Sequence, residues 1–513
     1  MNFFGWVDHS YLLNPEEKFG YQKIWFCART LSPFGLGRAK AKMFRSRLIA
    51  PYQHDGVRWM AQRETEETPG GFLCDEMGLG KTVQMLATMC VNVRHKTLII
   101  VPKSIVSQWK TEIRRFVPTF KVHIFDGAKR TIPNFDNNPW VVVAPYSVLG
   151  QRKGQPESAL LSVTWDRVIL DEAHEIRNRT SAVHIACHAL KSDIRWCMSG
   201  TPIFNSMKDF VALGSFLGLK HNMIQCYTED VIRKYVMRRT KQDVSQFNKR
   251  LELPPLDFED IELEMYKEER DLYEVAFDAG REIVGQVVQN NMTHIQEILE
   301  AFLRVRQVMS WPQMYIDGIA RKNDETPEKW EGRSKKMETL MENIKSHPKE
   351  KSLVFCQFIG EMDHIQELLA DENITTFRID GSVDKDQREG RIQGFKSASP
   401  GAVFLIQIKS GGVGLNLQQA TRVYITCPAW NPATELQAIA RSHRTGQTEK
   451  VVVRRLIYTG EERLPSVEES ILSLQEAKTK VCAELLNDQR LMEQIPKRKS
   501  QVTVHDLKKI FRV

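Results

Sequence analysis

Short apolar runs alternate with helix-length segments twice along this chain, and that double alternation admits few folds. TLIIV (97–101), WVVVAP (140–145), RVILDE (167–172) and IRWCMSG (194–200) each read as a buried strand ending in a polar or Gly/Pro turn. Helix-length stretches such as Thr82–Val93 and Val106–Phe116 lie between them. Strands alternating with helices predict a mainly parallel sheet with helices on both faces, because each return crossing packs a helix onto the sheet. The same grammar returns in SLVFCQF (352–358), TTFRIDG (375–381), GAVFLIQI (401–408) and RVYITCPA (422–429). The fold class is therefore α/β with two similar halves of roughly 150–200 residues, each able to bury its own core.

Between the halves, residues 257–310 carry a long charged and apolar helical pattern, and RKNDETPEKWEGRSKK (321–336) reads as a linker or mobile loop. EESILSLQEAKTKVCAELL (468–486) reads as one amphipathic helix. Residues 1–44 are rich in aromatics without an assignable period. They read as an extension packed onto the body, with a base-stacking surface as the alternative.

Composition closes off other classes. Apolar residues are 42% and charged residues 27% of 513, which excludes wholesale disorder and a collagenous chain. No window reaches the ~18 uncharged apolar residues of a membrane span, and MNFFGWVDHS has no secretory pattern. The nine cysteines include no C-x-x-C pair, so a zinc ribbon is excluded and a reduced, intracellular protein is expected. The balance of 72 basic to 64 acidic residues, net +8, permits a polyanionic partner without identifying one. PKRKS (496–500) suits nuclear import or, equally, a solvated turn.

The chemistry concentrates in three places. GFLCDEMGLGKT (71–82) joins an apolar start to a Gly-rich turn and a helix, the arrangement that cradles phosphates on backbone N–H groups. Lys81 then reaches the β- and γ-oxygens and the Thr82 hydroxyl binds Mg²⁺, although Asp75 stands where the P-loop pattern wants glycine. Ninety residues on, RVILDEAH (167–174) ends a strand in two adjacent carboxylates. Phosphoryl transfer needs one acid for the metal and one for the attacking water, which suits Asp171 and Glu172 respectively. QAIARSHRTGQ (437–447) sets Arg441 and Arg444 three apart, expected on one helix face, where planar guanidiniums span phosphate oxygens. They lie in the second half, so hydrolysis requires the halves to close.

With these residues in hand, the chain resembles the SWI/SNF-type DNA-dependent ATPases of helicase superfamily 2 over roughly residues 45–490. The resemblance rests on LIAPYQHDGVRWM (48–60), DEMGLGKT (75–82), LIIVPKSIVSQWKTEI (98–113), VVVAPYSVL (141–149), DEAHEIRN (171–178) and SGTPIFNS (199–206). It continues through YVMRRTKQDV (235–244), LPP (253–255), LVFCQF (353–358), RIDGSVDKDQRE (378–389), SGGVGLNLQQA (410–420) and ARSHRTGQ (440–447). Asp75 is what the first motif of this family looks like, whereas Arg177 and Ala440 depart from its common lysine and acidic residue.

The resemblance implies two RecA-like lobes, 45–256 and 336–465, separated by a helical protrusion and linker at 257–335. An extension at 1–44 would precede them, and a brace-like helix with a basic tail at 466–513 would follow. It implies an ATP hydrolase using ATP and Mg²⁺. Gln53 would contact adenine, and Asp75, Gly78, Leu79, Gly80, Lys81 and Thr82 would form the nucleotide cradle. Gly412 and Gly414 would approach nucleotide or backbone phosphate, and Ser199 to Thr201 would link the ATP site to a DNA groove. Lys103, Ser104 and Gln108 with Trp109, and Lys409 with Ser410, are DNA-contact candidates, Trp109 having helix packing as its simpler role. No strand-separating aromatic wedge stands out.

The expected activity is ATP-driven translocation on double-stranded DNA without sequence preference, remodelling nucleosomes or displacing other bound proteins in chromatin, repair or transcription. The partner readings are no membrane and a monomeric motor. The location reading is a nucleus, or a viral replication compartment if the chain is virus-encoded. A strand-separating DNA or RNA helicase and a non-hydrolysing DNA-binding scaffold are the alternatives. Zinc-ring and histone-reader modules are not expected, so substrate choice would come from short surface features or a partner.

Overall fold

The computed structural model describes residues 44–485 apart from 46–47, 49, 128–129, 151–156, 201–206, 246–252, 290–294, 412–414 and 445. Residues 1–43, Thr201, Gly412, Gly414 and PKRKS lie outside the described residues.

The first sheet comprises β1 (Gly70–Leu73), β2 (Lys96–Val101), β3 (Lys121–Ile124), β4 (Trp140–Pro145), β5 (Thr164–Asp171), β6 (Lys191–Met198) and β7 (Val236–Met237). Their order is β3-β4-β2-β5-β6-β1-β7, with every pair parallel. Burial on both faces explains why these strands read as unbroken apolar runs. Along β2, Leu98 and Ile100 enter one core with Phe72 and Phe210, while Ile99 and Val101 enter the other with Trp109 and Trp196.

The second sheet comprises β8 (Leu256–Leu263), β9 (Lys351–Cys356), β10 (Thr376–Ile379), β11 (Val403–Gln407), β12 (Ala420–Ile425) and β13 (Val451–Tyr458). It runs β10-β11-β9-β12-β13-β8, again all parallel. Val354, Leu405 and Leu456 face one core, and Phe355, Phe404 and Val453 the other.

Two expectations are corrected here. The helical pattern begins later than residue 257, because Leu256–Leu263 is an edge strand of the second sheet, paired along its whole length with β13. Its acidic run is matched across the ladder: Arg454 bridges Asp257 (3.2 Å) and Glu259 (3.1 Å), and Arg455 holds Asp260 (2.7 Å). Helices Lys267–Gln289, Ile295–Ser310 and Gln313–Asn323 are thus inserted between two strands of one sheet. The second correction concerns 321–336, whose last residues are no linker. Lys336 is the second residue of a helix (Lys335–Lys345) and is fully buried, with its Nζ donating to Glu468 (2.7 Å) on helix Val467–Leu485. That ion pair, with Val467 and Ile471 in the core, docks the last described helix onto the second lobe.

Candidate active site

The loop from Cys74 to Gly80 leaves β1 and enters helix Lys81–Val91. Gly78 (φ 94°) and Gly80 (φ 79°) hold left-handed backbone that other residues adopt only at a cost. A Cβ on Gly80 would sit 2.7 Å from the Gln53 amide nitrogen, so the buried Gln53 side chain would have to shift to admit one. No side chain caps the N-terminus of the helix, which leaves its first N–H groups and its positive end for an anion. Lys81 Nζ donates to the Asp75 carbonyl (2.7 Å) at the same wall.

Asp171 ends β5, the strand beside β2 in the sheet. Its Oδ2 accepts the Trp109 indole N–H (2.7 Å), its Oδ1 accepts the Glu172 amide (3.0 Å), and its carbonyl accepts the Tyr146 hydroxyl (2.9 Å). Burial first, and the Glu172 charge second, push the Asp171 carboxyl up to about 6, against the Trp109 bond and Lys81. Glu172 follows with φ 50°, a left-handed conformation rare for glutamate. Burial works to raise its carboxyl too, but His174, Lys81 and Arg441 together hold it below the usual range. His174 Nδ1 stands 3.4 Å from Glu172 Oε2.

Lys81, Thr82, Asp171 and Glu172 share one cavity of about 300 Å³ with Arg441 and Arg444 of the second lobe. The two arginines lie in the turn after helix Pro432–Ile439, not on it, a correction to the shared-helix expectation. Arg444 Nη1 donates to the Leu415 carbonyl (3.2 Å). Burial draws Arg441 down to about 10 in spite of Glu172 nearby, and burial lowers Arg444 as well.

Other expected site residues sit elsewhere. Gln53 is buried behind the loop, its amide donating to the Leu79 carbonyl (3.3 Å), so it braces the cradle from outside the cavity lining. Asp75 and Leu79 also turn away. The Asp75 carboxylate is held by Arg239 (2.9 Å) and Gln84 (3.0 Å), and Leu79 packs with Tyr52 and Val244. Arg239, inside YVMRRTKQDV but given no role from the sequence, also bonds the Tyr52 carbonyl and Gln84 (2.8 Å), fastening three segments beneath the loop. Gln108, expected on DNA, lines the nucleotide-sized cavity with Glu112, whereas Lys103 and Ser104 are exposed. Ser199 is buried, and the Gly200 carbonyl accepts from Arg238 (3.3 Å).

A wider cleft of about 930 Å³ separates Arg177 of the first lobe from Lys409 of the second. Arg304, Arg306 and Arg321 of the inserted helices add three more cations, against the carboxylates of Asp317 and Asp363. Ser410 borders this region, its hydroxyl donating to Gln407 (2.9 Å), itself a cleft residue. Trp430, 40% exposed, also lines the cleft.

Residues 52–224 match the SNF2-related domain, and residues 335–446 match the helicase conserved C-terminal domain. This chain belongs to the SWI/SNF-type DNA-dependent ATPase family of helicase superfamily 2. As a family member it is a helicase-like ATPase. A probable global transactivator of Orgyia pseudotsugata multicapsid polyhedrosis virus is 29% identical over 436 residues, covering 80% of this chain and 86% of that one. An uncharacterized ATP-dependent helicase of Mycoplasma pneumoniae is 30% identical over 462 residues, covering 85% of this chain but 42% of its own length. A DNA excision repair protein ERCC-6-like of Danio rerio is 26% identical over 530 residues, covering 86% and 36%. The chain therefore spans most of the viral relative and less than half of the other two.

The cavity fits a magnesium nucleotide by its donor set: a lysine, two guanidiniums, an uncapped helix end, a hydroxyl at Thr82 and two carboxylates. Thr82 and Asp171 are the pair suited to the metal.

Proposed function

We propose that this chain is an ATP-driven translocase on double-stranded DNA that remodels or displaces DNA-bound proteins. The observation that carries this reading is that both the nucleotide-sized cavity and the basic cleft are built from both lobes. Any hinge motion that parts Lys81 from Arg441 also alters the spacing between Arg177 and Lys409. Hydrolysis and grip on a polyanion are thereby mechanically linked.

At the nucleotide, Lys81 and the helix end bind phosphate oxygens. Thr82 and Asp171 would hold magnesium, which supplies charge neutralisation when bound. Glu172, kept ionised at neutral pH, orients the attacking water and takes its proton. Arg441 and Arg444 balance the charge that develops on the transferred group. In the cleft, Arg177, Arg304, Arg306, Arg321 and Lys409 suit backbone phosphates, which fix register without reading sequence. The transactivator and excision-repair names of the relatives support a setting in transcription or repair, in a nucleus or a viral replication compartment.

The test is ATP turnover measured with duplex DNA, single-stranded DNA and RNA, with Lys81→Ala as control. Stimulation by duplex DNA above the other two is expected. Preferential stimulation by RNA or by single strands would replace translocation with strand separation, a role in which Trp430 would be the aromatic to examine.

A further inference from the structure

Three tryptophans of the first lobe are fully buried, and each indole N–H has found an acceptor. Trp165 uses the Leu160 carbonyl (3.0 Å) and Trp196 uses the Glu64 carboxylate (2.9 Å), both remote from the cavity. Trp109 instead spends its N–H on Asp171 at 2.7 Å. Packing helix Val106–Phe116 against the sheet needs only an apolar ring there, and phenylalanine would supply one. The N–H adds something a packing role does not require.

We propose that Trp109 is a positioning residue for ATP hydrolysis, fixing the Asp171 carboxylate and tying it to the surface turn at Lys103–Ile105. The geometry has two parts. One donor engages each carboxylate oxygen, Trp109 on Oδ2 and the Glu172 amide (3.0 Å) on Oδ1, so the carboxylate plane is set. Each oxygen keeps a second lone-pair direction for a cation. Tyr146 holds the same residue by its carbonyl (2.9 Å), which stops the backbone from following if the side chain is pulled. The second part is the helix itself. Trp109 is its fourth residue, and the turn Lys103–Ile105, with Lys103 and Ser104 exposed, leads straight into it. A ligand that shifts this turn moves the indole, and with it the carboxylate at the cavity wall.

This inference rests on the cavity being the nucleotide site, and its test separates the two. Trp109→Phe keeps the ring and removes the donor. The expected protein melts within a few degrees of the parent and binds nucleotide in EDTA within about twofold. Its kcat falls about tenfold and the Mg²⁺ concentration for half-maximal turnover rises about tenfold or more, the size of effect seen when a metal ligand loses its supporting hydrogen bond. Trp109→His, which restores a ring N–H, recovers part of both. A phenylalanine variant within twofold of the parent in both readouts would overturn the proposal. Should that variant melt early, Asp171→Ala decides the matter, because alanine leaves the indole without its acceptor. Replacing the carboxylate must move one tryptophan indole N–H resonance strongly, and a spectrum with no such movement contradicts the contact. A parent protein without ATP turnover would defeat the functional reading, while the indole spectrum still decides the Trp109–Asp171 contact.

Discussion

Glu172, the residue proposed to activate the attacking water, has a left-handed backbone, and the strain is tolerated because β5 and Ala173–Ile176 fix both sides of it. Glu172→Gln preserves this geometry and removes the proton acceptor. ATP turnover is expected to fall by about 10²-fold or more with nucleotide binding retained, a loss in the range general-base catalysis supplies. Asp171 gives a pH signature. Its carboxyl is pushed up to about 6, and only the ionised form holds a metal. The Mg²⁺ needed for half-maximal turnover should therefore rise as pH falls through about 6, and a midpoint that stays flat across that range would count against the assignment. The same elevation means the ionised carboxylate weakens the metal-free fold above about 6, with relief as pH falls toward the ordinary carboxylate value. At this scale Lys81, Thr82, Asp171 and Glu172 were legible in the sequence, because their spacing encodes a turn-to-helix and a strand end. The orientations of Gln53 and Asp75 were not, nor was the Trp109 bond to Asp171, although the packing of the Trp109 ring was; which way a buried side chain turns depends on partners such as Arg239 and Asp171, which lie far away in the chain.

Among the elements, most strands with a dominant apolar run could be read, including β10 and β12 with one arginine each, whereas β8 and β13, each crossed by two or more charges, could not. β2, β4, β5 and β6 fall close to the expected segments. β8 and β13 went unseen because LDFEDIEL and VVVRRLIY mix charge into the run, and each is acceptable as a strand only beside the other. A similar long-range match holds the first lobe. Glu64, closing helix Pro51–Arg63, accepts from Arg167 (2.7 Å), Trp196 (2.9 Å) and Asn92 (2.6 Å), and its side chain and that of Arg167 are fully buried. Glu64→Ala leaves an uncompensated buried guanidinium and is expected to cost about 3–5 kcal/mol of stability, read by chemical denaturation. A loss under about 1 kcal/mol would mean water replaces the carboxylate.

At the scale of the molecule, both lobes line the 300 Å³ cavity, and both line the basic cleft. The doubled α/β pattern made the two lobes legible, while the cleft was not, because its arginines come from the inserted helices as well as from both lobes. Binding to duplex DNA should weaken steeply with salt. Lys409→Ala and Arg321→Ala should each reduce the slope of log K against log salt by about 1, uniformly across sequences. The most direct trial of the shared cavity is single-turnover ATP hydrolysis by Arg441→Ala in the presence of duplex DNA, beside nucleotide binding by the same protein. The expected result is binding within about threefold of the parent and a rate lowered by about 10³-fold, the contribution of an arginine finger. Hydrolysis at the parent rate would contradict a cavity completed by the second lobe.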